Sequence, residues 1–232
     1  MTTNVALTGI GSMATKKLLA RLCDAYRAET GQGVEFMSVG GVEAEQRLMA
    51  GEQFDFAVLA SGALERLAAH GRVEAERTGI VCSRIAAAVP AGAPHPDLGS
   101  AAALRDAMLR APTLGYSTGP SGDYLLALFA RLGIAEEIAP RLVQAPPGVP
   151  VGTLLAQGRI ALGFQQLSEL IGLAGVEVIG LLPDEVQHVT VFAAAVSRQS
   201  SRQEAARAFF AFLTGPKTDA EIRAHGMEPA RA

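Results

Sequence analysis

Three short runs of small residues carry the first hint of chemistry. Thr8-Gly9-Ile10-Gly11-Ser12-Met13-Ala14, Val39-Gly40-Gly41-Val42-Glu43 and Ala60-Ser61-Gly62-Ala63 each follow a strand-like segment and lead into a helix-like one. Glycine lets a ligand approach the backbone, and the free N–H groups at a helix start favour an anion. The first run matches G-x-G-x-x-A, but a dinucleotide site also wants an acidic residue at the end of the second strand. Glu35 stands at the start of that strand, and Ser38-Val39-Gly40-Gly41 ends it. What remains is the general anion reading, with Gly11, Ser12, Met13, Gly40, Gly41 and Ser61 as candidate contacts and Ser12 also suited to capping a helix.

A second group lies further along. Gly115-Tyr116-Ser117-Thr118-Gly119 has the spacing of a nucleophile elbow, yet Gly119-Pro120-Ser121-Gly122 follows, and Pro120 is expected to delay the helix and leave Ser121 or Asp123 as its cap. An extended loop in which Ser117, Thr118 and Ser121 cradle an oxyanion or carboxylate suits these residues better than an acyl-enzyme. Gln165 and Gln166 end another strand with amides that can donate and accept. Arg84 interrupts an apolar strand, where it is either a carboxylate fork or a charge on a solvent face. Glu43, in the first turn of a helix, is the one carboxylate placed to act as a base, and it is equally a favourable charge for the helix dipole. His70, His95, His188 and His225 are scattered, with no paired-histidine or C-x-x-C spacing, so no metal or other cofactor is expected.

The elements that must hold these residues alternate between strand and helix. Strands are expected at Val5 to Thr8, Val34 to Ser38 and Phe56 to Ala60, with helices around Leu18 to Tyr26, Val42 to Ala50 and Ala63 to His70. After the Pro90-to-Pro96 loop the scheme repeats: helix Ala101 to Leu109, strand Thr113 to Tyr116, a helix bearing Tyr124, Leu125, Leu128, Phe129 and Leu132, then strand Leu142 to Gln144, helix Val151 to Ala156 and strands Ile160 to Phe164 and Val176 to Ile179. Such alternation implies an α/β fold with mainly parallel sheets and flanking helices. Two long apolar strands, Ile80 to Val89 and Val189 to Val196, are candidate crossings between lobes. They suggest residues 1–84 and 190–232 as one discontinuous lobe and 85–189 as the second, with a ligand cleft between them and a two-strand hinge.

Composition narrows the partners. The chain has 232 residues, 49% hydrophobic and 19% charged, with 20 Lys and Arg against 23 Asp and Glu. That balance supports a packed core, leaves no basic footprint for nucleic acid, and offers no apolar run of the ~20 residues a bilayer span needs. Cys23 and Cys82 read as core thiols. Met1-Thr2-Thr3-Asn4 shows no export signal, so the sequence as it stands reads as cytoplasmic, and as periplasmic if a leader was removed.

Several stretches resemble a known family. The N-terminal strand–Gly/Ser turn–helix, Ala28-Glu29-Thr30-Gly31, Phe54-Asp55-Phe56-Ala57-Val58 and Gly158-Arg159-Ile160-Ala161-Leu162-Gly163-Phe164 are similar to the type II periplasmic binding proteins, above all the molybdate-binding component of ABC transporters. The resemblance runs from about Asn4 to Pro229. It implies two α/β lobes closing on an oxyanion held without a cofactor, with Ser12, Gly41, Ser61, Ser117 and the Gly148-Val149 segment lining the cleft. It also implies an ABC transporter permease as partner if the protein is exported. A related set on this fold, aconitate isomerase among them, is enzymatic. That leaves an isomerase of a small unsaturated carboxylate, with Glu43 as base, as the alternative to simple anion binding.

Overall fold

The computed structural model describes residues 5–231; Met1 to Asn4, on which the export reading rests, and Ala232 lie outside them. The chain divides into two compact units, one of residues up to Cys82 and from Val191 onward, the other Ser83–Thr190.

In chain order the elements are β1 (Leu7–Ser12), α1 (Lys16–Thr30), β2 (Val34–Val39), α2 (Gly41–Met49), β3 (Phe56–Ala60), α3 (Ser61–Ala69) and β4 (Thr78–Pro90). Next come α4 (Ala101–Arg110), β5 (Leu114–Tyr116), α5 (Pro120–Arg131), α6 (Ala135–Ile138), β6 (Leu142–Gln144), α7 (Val151–Ala156), β7 (Leu162–Gln166), α8 (Leu167–Leu170) and β8 (Val176–Leu181). The chain ends with β9 (Val189–Val196), α9 (Gln203–Leu213), α10 (Asp219–Ala224) and β10 (Met227–Pro229). No helix among the described residues is long and apolar enough to cross a membrane.

The first unit is built on the strand order β2-β1-β3-β9-β4, with β10 also on β4. β1 runs parallel to β2 and β3, and β9 runs antiparallel to β3. Alternation along the strands feeds two cores. Phe56, Val58, Phe192 and Ala194 pack with Leu18, Leu22 and Tyr26 of α1 and Phe209, Phe210 and Leu213 of α9. Ile10, Ala57, Leu59 and Ala193 pack on the other face with α2 and α3. Burying both faces explains why these strands read as continuous apolar runs.

Gly9 and Gly11 belong to this packing. A Cβ on Gly9 would strike the Phe56 ring, and one on Gly11 would strike the Val58 carbonyl. The run expected as a turn from Thr8 is therefore strand up to Ser12, because the glycines are required by the phenyl rings beside them.

Asp55 ties three segments of this unit together. Its buried carboxylate accepts from the Thr8 N–H (2.7 Å) and hydroxyl (3.0 Å), from the Ser200 hydroxyl (2.7 Å) and from Arg202 Nε (3.0 Å) and Nη2 (2.5 Å). Burial by itself would raise the carboxyl pKa. The donors from Thr8, Ser200 and Arg202 outweigh that and hold it below its ordinary value.

The second unit has the order β6-β5-β7-β4, with β8 also on β4. β5 is parallel to β6 and β7, while β4 is antiparallel to β7 and β8. Ile85, Ala87, Leu114 and Phe164 face α4 and α5; Ala86, Ala88 and Ala145 face α7. The helix expected to be delayed by Pro120 begins at that residue. Gly119 is its N-cap at φ +82°, and a proline in the first turn costs no hydrogen bond because its missing N–H had no partner to lose.

Candidate functional site

The carboxyl ends of β1, β2 and β3 bring three turns of the first unit to one sheet edge, where ligands of open α/β sheets usually sit. Ser12 ends β1, and its Oγ accepts from Ala14 N–H at 3.3 Å, capping the tight turn that begins at Met13. Gly41 opens α2 beside it: a Cβ there would lie 3.7 Å from Ser12 Oγ, in ordinary van der Waals contact, so the hydroxyl stands next to the helix start. Ser61 opens α3 directly from β3 and donates to Val191 O at 3.3 Å.

Neither α2, whose N-cap is Gly40, nor α3, whose N-cap is Ala60, has a side-chain cap. Their first-turn N–H groups thus point outward with the positive end of each helix dipole and no side chain to satisfy them. Hydroxyls and amides gathered in this way neutralise an anion without a cation side chain. Ser12, Met13, Gly40, Gly41 and Ser61 are all half-buried, accessible to a small molecule. Gly11 is buried against Val58, as described above.

Glu43 sits in the first turn of α2, exposed, with its carboxylate 3.7 Å from Arg47 Nη1. Arg47 is held mainly by Glu52, through two contacts of 2.6 Å.

In the second unit the Ser117 and Ser121 hydroxyls are buried and 2.9 Å apart. The turn between them is tight: a Cβ on Gly122 would collide with the Ser117 carbonyl, so this backbone crossing needs glycine. Ser117 hydrogen-bonds to another serine and stands three residues ahead of the helix, which is not the geometry of a nucleophile elbow. Thr118 is half-buried on the same loop. Gly148 adopts φ +75° at an exposed tip, and Val149 N–H closes that turn on Pro146 O at 3.0 Å.

The two glutamines differ. Gln165 is fully engaged: its Oε1 accepts from Val151 N–H at 2.8 Å, in effect capping α7, and its Nε2 donates to Glu169 at 2.7 Å. Gln166 donates to the Thr190 hydroxyl at 2.8 Å, but among the described residues its buried Oε1 has no hydrogen-bond partner, and neither do the buried Ser83 and Ser168 hydroxyls. Antiparallel pairing sets Ile85 opposite Gln166, so Ser83, two residues back along β4, shares its face. Ser83, Ser168 and Thr190 were not singled out from sequence, since nothing local distinguishes a buried serine from a surface one. Arg84 is exposed, 3.9 Å from the solvent-facing Asp184, which is the solvent-face arrangement rather than a fork. Among the described residues no group of three or more His, Cys, Asp or Glu is arranged to hold a metal.

The profile of the bacterial extracellular solute-binding protein family matches residues 7–228. The chain belongs to this family. A curated relative of this solute-binding protein, aconitate isomerase from a Pseudomonas species, is 32% identical over 239 residues, covering 100% of this chain and 90% of the relative. Among solved structures, the periplasmic molybdate-binding protein of Azotobacter vinelandii superposes with a TM-score of 0.81 at 19% identity, covering 97% of this chain and 100% of that one. The sulfate-binding protein SubI of Mycobacterium tuberculosis H37Rv gives 0.76 at 15% identity, covering 97% and 87%. The expected α/β fold of the type II periplasmic binding proteins is thereby borne out, and these two likenesses carry the fold alone.

Proposed function

We propose that this solute-binding protein binds a small anion, a carboxylate or a tetrahedral oxyanion, with the turns at Ser12, Gly40-Gly41 and Ser61 in the first unit and the Ser117-to-Ser121 loop in the second as its two sets of donors. The observation that carries this reading is the pairing of Ser12 Oγ with the glycine that opens α2, beside two helix starts that lack side-chain caps. Helix N-termini and hydroxyls stabilise an anion by oriented dipoles and charge-assisted hydrogen bonds. If the protein is exported, delivery to an ABC transporter permease follows as its role.

Calorimetric titration with molybdate, sulfate, citrate and the two aconitates tests this. One of these anions is expected to bind, and Gly41→Val, which places methyl groups against Ser12 while leaving a permitted backbone, is expected to weaken it at least tenfold. Binding unchanged in Gly41→Val and in Ser12→Ala would overturn the assignment.

The aconitate isomerase relative favours a second reading, in which the bound anion is a small unsaturated tricarboxylate that is turned over. Glu43 would then move the proton across the allylic system, losing it from one carbon and returning it at the other. Proton NMR of cis- and trans-aconitate incubated with the protein follows the double bond directly. Turnover abolished by Glu43→Gln with binding retained supports this reading. Tight binding of molybdate or sulfate with no conversion of either aconitate rejects it.

A further inference from the structure

We propose that the second unit carries another ligand site, a pocket for a compact amphiphilic monocarboxylate such as an aryl-acetic or medium-chain acid. The pocket has a volume of about 410 Å³ and lies among Val89, the segment from Ala93 to Pro96, and Ala107 to Pro112, floored by Ala161 and Leu162. Volumes of this order are typical of small-molecule sites. It opens at the amino-terminal ends of β5 and β7, the opposite end of those strands from Ser117, Gln165 and Gln166, so it is separate from the anion-binding turns.

Three features separate it from an incidental packing gap. Its wall is made by small side chains, Ala93, Ala107, Ala111 and Ala161, where larger residues would fill the space. Its strap is fixed in place. Ala91 N–H donates to Gly175 O at 3.1 Å, Ala93 N–H to Pro90 O at 3.0 Å, and His95 meets Glu177 at 3.1 Å, while Pro94 and Pro96 stiffen the rest. A rigid wall does not collapse into an apolar space, and the space remains for a ligand at little ordering cost.

The third feature is charge. Arg110, in the last turn of α4, lies at the lip of the apolar pocket, exposed, and among the described residues it makes no ion pair or side-chain hydrogen bond. Glu177, which meets the strap at His95, is already held by His95 and the Gly92 N–H, which keep its carboxyl below the ordinary range. A guanidinium free to fork a carboxylate above an apolar floor selects a ligand with one anionic head and a hydrocarbon body.

Titration of the full chain with phenylacetate and with octanoate, read by calorimetry and by chemical-shift changes in the Ala93-to-Pro96 and Ala107-to-Pro112 backbone amides, tests the proposal. Saturable binding is expected, weakened at least tenfold by Arg110→Gln and at least tenfold when 2-phenylethanol or octanol replaces the acid. Ala161→Phe, which fills the floor, is expected to abolish it. Both variants should melt like the parent and retain the parent's behaviour toward the anions named above. Absence of saturable binding overturns the proposal. So does binding that Arg110→Gln and Ala161→Phe leave intact, or binding that Ser117→Ala removes instead. Because the anion titrations are run on the same variants, failure of this pocket is distinguishable from failure of the anion-binding turns.

Discussion

Replacing Asp55 by alanine removes the common acceptor of five hydrogen bonds, from Thr8 N–H and Oγ1, Ser200 Oγ and two nitrogens of Arg202. Deleting one partner of a buried charge pair costs about 3–5 kcal/mol, because the other is left uncompensated. Here the low end applies. Asp55 is 5% exposed, but the Arg202 side chain is 31% exposed and recovers water, and it keeps its contacts to the Val5 and Ala6 carbonyls. A loss of about 3 kcal/mol in a chain of this size corresponds to a fall in Tm of roughly 6–12 °C.

The acid response has a definite sign. The folded Asp55 carboxyl titrates below its unfolded value, so the stabilisation is fully present above the ordinary carboxylate range, around pH 4, and is lost as pH falls through the lower folded value. Thermal melts by circular dichroism of the parent and of Asp55→Ala, taken at neutral pH and in steps down to about pH 2.5, are the assay. The gap between them should be widest at neutral pH and should close in acid. A variant melting within about 2 °C of the parent, or a gap that persists unchanged in acid, would refute the reasoning by showing that desolvation cancels the network.

Gly122→Ala places a Cβ against the Ser117 carbonyl, so backbone has to move. We expect a loss of about 1–3 kcal/mol in denaturant melts together with at least tenfold weaker anion binding by calorimetry. Burial first, and the Asp24 charge second, push the Cys23 thiol up to about 12, and burial also raises Cys82, which is only half-buried. Cys82 should therefore react with Ellman's reagent before Cys23, and Cys23 only on unfolding; two rapidly titrating thiols in the native protein would contradict this.

The period of the hydrophobic pattern made much of this fold legible. Phe56–Ala60, Leu142–Gln144, Val151–Ala156 and Val189–Val196 form where the sequence places them. The short elements α6, α8, α10 and β10 were not placed from the sequence: none carries enough apolar periodicity of its own to stand out, and such runs are held by tertiary contacts. Within the candidate site, Ser12, Gly41 and Ser61 were visible as small residues at strand ends. The roles of Gly9 and Gly11 were not, because the rings that demand them, Phe36 and Phe56, come from strands up to 47 residues away. Gln165 had the same appearance as Gln166 in the sequence, and only the Val151 N–H within its reach separates a capping amide from one with an idle carbonyl oxygen.

The order in which the chain emerges during synthesis gives the position of β9 a further meaning. In the first unit β9 lies between β3 and β4, yet it is made only after the whole of Ser83–Thr190. At translation rates of about 5–20 residues per second, the first unit waits roughly 5–20 s with a gap in its sheet. The second unit, contiguous in sequence, has every one of its strands before that gap is filled. The nascent protein therefore carries a half-built first unit for as long as Ser83–Thr190 is being made, with the edges of β3 and β4 that β9 will cover unpaired, and is then at its most vulnerable to strand pairing with a neighbour.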